Sequence, residues 1–167
     1  MLFFKELWIL IKLLISSKPE DFDSLELLEM KYFPFSSYKY MTWCGKMIYR
    51  SSIKDRILAE LETDKFKIDE SHEIIHLCQA KVKGSWIKYY LSYFWEWLKG
   101  APMISPSESA YYTIPYEMEA YANEGDSEYI KNYTRAGLNK YIIKNTKKRS
   151  VFTGTLLTLM LNIRDKA

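Results

Sequence analysis

The sequence predicts an α+β fold, mostly helical, in which a small antiparallel sheet or hairpin packs on the helix that ends at Lys83. Three observations carry this. The chain has 167 residues, 48% hydrophobic and 27% charged, which suits one globular domain able to bury a core. Most of its length reads as helical segments separated by Gly, Pro and capping residues. Only the stretch Tyr38 to Arg50 concentrates aromatic and β-favouring residues.

Taken in order, residues 1–17 form an apolar N-terminal helix. Glu6 and Lys12 interrupt the apolar run and no small-residue cleavage pattern follows at Ser16-Ser17-Lys18, so a signal peptide is a poor reading. The run is also short and charged for a membrane span. Lys5 and Lys12 fall near one side of a helix, which suits either docking on the core or lying in a membrane interface. Lys18-Pro19-Glu20-Asp21 breaks the pattern, and a second short helix is predicted from about Ser24 to Met30, closed by Pro34. Tyr38–Trp43 and Lys46–Ser51 read as two strands joined at Cys44-Gly45 by a tight turn or bulge.

A short helix is predicted over Ser52–Glu62 and an extended piece over Lys65–Ile68. Asp69 then reads as the N-cap of a helix through Lys83, ended by Gly84, and Ser85 caps the next helix through Lys99. The stretch Gly100 to Pro115, with three Pro, a Gly and several Ser, is expected to be a loop. Pro115 is placed to open a helix through about Glu124, ended by Gly125. A last helix is expected from Ser127 to Lys144, before the basic residues Lys144, Lys147, Lys148 and Arg149 and an apolar tail from Val151 to Ile163. No internal repeat or low-complexity tract interrupts this order. The expected organisation is a single domain over 1–167, with a core at 38–141 and a C-terminal tail at 150–167.

A formal charge of +3, without a basic run interleaved with glycine and aromatics, argues against nucleic acid as a partner. Two cysteines, Cys44 and Cys78, exclude a disulfide scaffold, leave room for one bridge and suit a reducing, cytoplasmic setting. The aromatic share is high, with 14 Tyr and 5 Trp. Its main home is Ser85–Leu98, apolar nearly all round with Lys88 and Glu96 as its only charges, which predicts burial between other helices. The basic cluster beside the apolar tail, like the N-terminal helix, favours anionic lipid, so peripheral membrane contact through residues 1–17 and 144–163 is an expectation.

The chemistry-bearing residues are His72-Glu73-Ile74-Ile75-His76. The two histidines of the chain stand four apart, so on a helix both imidazoles point at one ion, while Glu73 lies one residue round, within reach of a metal-activated water. Ile74, Ile75, Leu77 and Cys78 make the rest of this segment apolar, so the histidines belong to a largely buried element. A catalytic zinc site takes three protein ligands and leaves the fourth position open. With no third histidine, carboxylates or Cys remain; Cys78 projects to the far side of the helix, and the helix opened by Pro115 offers Glu117 and Glu119.

His72–His76 with Gln79 three residues on, followed about forty residues later by Glu117-Met118-Glu119-Ala120-Tyr121, resembles the gluzincin plan of zinc metallopeptidases: HExxH on one helix and a glutamate on a later one. It is similar in particular to membrane-linked prenyl-processing and heat-shock proteases, whose second helix reads ExEAD, and to small Bacteroidetes-type minimal zincins. The likeness spans roughly Tyr38 to Tyr141. It implies a zincin-like fold, a zinc ion, and hydrolysis of a peptide or protein substrate. The first Glu of ExEAD is the ligand in the resembled proteins, which selects Glu117, with Glu119 as the alternative. Their orienting Asp is replaced by Tyr121, another candidate for supporting His72. The implied mechanism has zinc on His72, His76 and Glu117 polarising a carbonyl and activating water, and Glu73 as general base. An edge strand for an extended peptide would come from the hairpin Tyr38–Ser51. The alternative is a non-catalytic zinc-binding or membrane-peripheral interaction protein; a general base at Glu73 argues against a purely structural metal.

Overall fold

A computed structural model describes residues 1–34, 38–100 and 114–142. The protein is α+β and mostly helical, with one small mixed sheet. In order, α1 spans Leu2–Ser16, a 3-10 turn Pro19–Asp21, β1 Glu26–Met30, β2 Met41–Trp43, β3 Lys46–Arg50, a second 3-10 turn Ser51–Ile53, α2 Lys54–Glu60, α3 Asp64–Lys83, α4 Trp86–Gly100, α5 Pro115–Asn123 and α6 Ser127–Lys131. Residues 135–142 are helical again. The described residues fall into two compact units, one of Met1–Tyr89 with Asn123–Tyr133, the other drawn from Tyr90–Ala122 and Thr134–Ala167. The greater part of the predicted loop between Gly100 and Pro115, the basic cluster at 144–149 and the apolar tail lie outside the described residues.

In the first unit the sheet has the order β1-β3-β2. The predicted hairpin is present: β2 pairs antiparallel with β3, Met41 opposite Ile48 and Trp43 opposite Lys46. Its turn needs two successive left-handed residues, and Cys44 and Gly45 supply them at φ 47° and 76°. A Cβ on Gly45 would run into the ring of Phe22, so this position needs glycine twice over. The predicted helix at Ser24–Met30 is instead strand β1, parallel to β3 with Glu26 opposite Lys46 and Met30 opposite Arg50, which makes the sheet mixed rather than antiparallel. Glu-Leu-Leu-Glu-Met has good helix propensity, but pairing with a buried neighbour outweighs a preference worth only tenths of a kcal/mol per residue. Covered on both sides, β3 buries Met47, Ile48 and Tyr49 in succession.

Helix α1 docks on this sheet by one face. Leu10 packs with Met30, Phe33 and Ile48, while the buried Glu6 carboxylate accepts the backbone N–H groups of Lys31 and Tyr32 at 2.7 and 3.0 Å. The indole of Trp43 donates to the Leu10 carbonyl at 2.9 Å. No helix among the described residues is long and apolar enough to cross a membrane.

Helix α3 starts earlier than predicted. Its N-cap is Thr63, whose hydroxyl accepts the Phe66 N–H, so Lys65–Ile68 is its first turn rather than an extended piece and Asp69 is interior. It ends as expected on Gly84, left-handed at φ 67°, whose N–H reaches the carbonyls of Ala80 and Lys81. The helix expected from Ser127 to Lys144 is broken: Asp126 caps the short α6, and residues 132–134 interrupt it. The one bridge that the sequence leaves room for is not formed: Cys44 and Cys78 are not joined in a disulfide.

Lys39, just before β2, ties the sheet to the helices, pairing with Glu60 of α2 and with Asp69 of α3. Lys39 and then Arg56 hold the Glu60 carboxyl down at about 2, from an ordinary 4.5. A carboxyl depressed in the folded state contributes stability that is complete above pH 4.5 and is lost as pH falls from there towards 2. Glu60→Gln is therefore expected to flatten the acid limb of a urea-denaturation profile in that window while leaving its shape near neutrality unchanged.

Candidate metal centre

The turn geometry of α3 sets up the centre. His72, His76, Gln79 and Ala80 fall on one face of the helix and all are buried. The His72 and His76 rings lie 4.9 Å apart and nearly perpendicular, with the two Nε2 atoms 3.2 Å from each other. Each ring has its other nitrogen engaged: Nδ1 of His72 meets Oε2 of Glu124 at 2.9 Å, and Nδ1 of His76 meets Oε1 of Gln79 at 2.8 Å.

These partners fix the chemistry of the facing atoms. A carboxylate and an amide oxygen only accept, so each Nδ1 donates, and a neutral imidazole then carries its lone pair on Nε2. Two lone pairs at 3.2 Å repel unless a cation lies between them. Two nitrogens about 2.05 Å from one tetrahedral zinc stand about 3.3 Å apart, close to what is found.

Within the other unit, Pro115 opens α5 as predicted and puts Glu117 in its first turn. Glu117 is buried, and its Oε1 accepts a hydrogen bond from the Tyr93 hydroxyl of α4 at 2.7 Å. Tyr116 is fully buried beside it, its hydroxyl bonded to Ser92 and its ring 5.6 Å from that of Tyr93. Glu119 and Ala120 are fully buried too.

His72 and His76 in one unit and Glu117 in the other are all buried. That is the donor set of two imidazoles and a carboxylate which suits zinc. Glu119 is outside this group, as are Cys44 and Cys78. Tyr121 is 43% exposed, and the His72 Nδ1 contact belongs to Glu124. Glu124 stands seven residues after Glu117, two helical turns, where the resembled plan has its Asp after four.

Glu73 sits one residue round from the His72–His76 face, half-buried, where its Oε2 accepts the hydroxyl proton of Thr42 on β2 at 2.5 Å. Thr42 lies on a strand at the edge of the sheet.

Three contacts were out of reach of sequence spacing: Thr42 to Glu73, Tyr93 to Glu117 and Glu124 to His72 join residues 31, 24 and 52 apart. Only Glu124 left a trace, as an acid in phase with Glu117. Because partners of metal ligands fix ring orientation and basicity, Glu124→Ala and Gln79→Ala are each expected to weaken zinc affinity about 10–100-fold, read by competition with a chromophoric chelator. No protein-family model, curated protein or solved structure matches the chain.

Proposed function

We propose that this chain is a zinc-dependent hydrolase of peptide bonds, gluzincin-like in plan, with His72, His76 and Glu117 as metal ligands and Glu73 as general base. The observation that carries the reading is the pair of Nε2 atoms facing each other at 3.2 Å with both Nδ1 atoms already donating; the buried Glu117 carboxylate is the proposed third donor. When bound, a zinc ion supplies Lewis acidity, polarising a carbonyl and lowering the pKa of a water.

The remaining steps belong to the chain's own side chains. Gln79 and Glu124 hold the two imidazoles in the tautomer that leaves Nε2 bare. Tyr93 holds one oxygen of Glu117 and so orients its carboxylate. Glu73, oriented by its hydrogen bond from Thr42, removes the proton of the attacking water and passes it to the leaving amine. The edge of β2, which pairs with no further strand among the described residues, gives an extended peptide backbone hydrogen-bonding groups close to Glu73, through Thr42.

The test is a peptide-library digest with the zinc-loaded chain, the chelated chain and Glu73→Gln. Cleavage by the first alone supports the reading. Equal cleavage by Glu73→Gln removes Glu73 as the base, and zinc binding without any cleavage leaves a non-catalytic metal-binding protein.

A further inference from the structure

Helix α1 was open to two readings, docked or interfacial, and it combines both. Its inner face is fixed to the sheet by Leu10 and by the two amides on Glu6. The opposite face carries Phe4, Trp8, Ile11 and Ile15 at i, i+4, i+7 and i+11, a single stripe along the helix. These side chains are 71%, 63%, 38% and 73% exposed. Lys5 and Lys12, both exposed, flank the stripe on one side, and the one acid of the helix, Glu6, is turned inward and buried. The outward face is therefore apolar and cationic with no anion of its own.

Helix α4 repeats the pattern. Its expected burial between other helices is not what the structure has: Ile87, Leu91, Phe94 and Leu98, again at i, i+4, i+7 and i+11, are 51%, 65%, 53% and 39% exposed, and Lys88 and Lys99 are exposed. Its one acid, Glu96, is buried and paired with Lys99.

We propose that the outward face of α1 seats the protein on an anionic lipid surface, lying in the interface with Phe4, Trp8, Ile11 and Ile15 among the acyl chains and Lys5 and Lys12 at the headgroups. The charge pattern selects this occupant. A face with cations and no acid is complementary to acidic headgroups, whereas a second copy of the same face would set lysine against lysine. The geometry agrees: a helix of 15 residues is about 22 Å long, short of the roughly 30 Å hydrocarbon core, so it lies on the membrane rather than across it. The inference stands apart from the metal centre, since it uses no residue of that site.

The test is cosedimentation of the full chain with phosphatidylcholine vesicles, with and without phosphatidylserine. The chain is expected to bind the phosphatidylserine vesicles, and less so as salt is raised. Lys5→Glu with Lys12→Glu should lower that binding at least tenfold, since each lysine near an anionic surface is worth about fivefold. Phe4→Glu with Trp8→Glu should abolish it while leaving the thermal unfolding profile close to wild type, because both side chains face outward. No binding by the wild-type chain overturns the proposal, as does undiminished binding by the Phe4/Trp8 variant. Loss of binding in Ile87→Glu with Leu91→Glu, but not in the α1 variants, would move the contact to α4 and overturn it for α1. Self-association of the wild type without vesicles, abolished by the Phe4/Trp8 variant, would make a second copy the occupant instead.

Discussion

Zinc is expected to raise the thermal stability of the wild-type chain, and His76→Ala is expected to abolish both zinc binding and that gain. An ion that binds only the folded state stabilises it by about 2.7 kcal/mol at a hundredfold excess over its dissociation constant. The removed imidazole supplies one of the two converging nitrogens, 3.2 Å from its neighbour. Its loss leaves His72 and Glu117, too few donors for a zinc site of ordinary affinity. Calorimetric melting with and without added zinc reads the effect: a clear upward shift for the wild type and none for the variant. Without metal the two proteins should melt closer together, because the substitution also relieves the contact between two facing lone pairs, although it removes the bond to Gln79.

The second large effect concerns rate. Glu73→Gln keeps the size and polarity of the side chain and its contact with Thr42, while removing the ability to accept a proton. A general base contributes about 10²–10⁴-fold, so peptide cleavage is expected to fall by that factor with zinc content unchanged. Pairing the kinetic measurement with metal analysis of the same sample separates loss of the base from loss of the ion. Thr42→Val should fall between wild type and Glu73→Gln, since it frees the carboxylate without removing it.

Much of the centre was legible because helical periodicity is a local property. Two histidines four apart on an apolar segment require a shared face once the segment is helical, and Gly84 and Pro115 marked where the two relevant helices end and begin. The hairpin was legible for the same reason: Cys44-Gly45 encodes a left-handed turn between strand-forming residues. What failed depended on distant partners. Glu26–Met30 has the composition of a helix and becomes a strand only because β3 is there to pair with it. Lys65–Ile68 was misread because Thr63, not Asp69, caps α3, and both residue types are good caps. The aromatic content of α4 suggested burial, yet period alone does not say which face meets the core, and its stripe at 87, 91, 94 and 98 turns outward.

The supporting shell of the centre was the least legible part. The partner of His72 is Glu124, beyond the last helical residue of α5, rather than position 121, where the resemblance led one to seek it. Tyr93 lies on a different helix from the glutamate it holds. Such contacts follow from the path of the chain, which sequence spacing does not encode.

Zinc K-edge absorption on the zinc-loaded chain reads the ligand shell itself. The ligand set His72, His76 and Glu117 requires one zinc per chain in a shell of nitrogen and oxygen only, at about 2.0–2.1 Å, with the multiple-scattering pattern of two imidazoles, and loss of one light ligand in Glu117→Ala. A sulfur shell at about 2.3 Å, which would bring in Cys44 or Cys78, or a spectrum unchanged by Glu117→Ala, would contradict it.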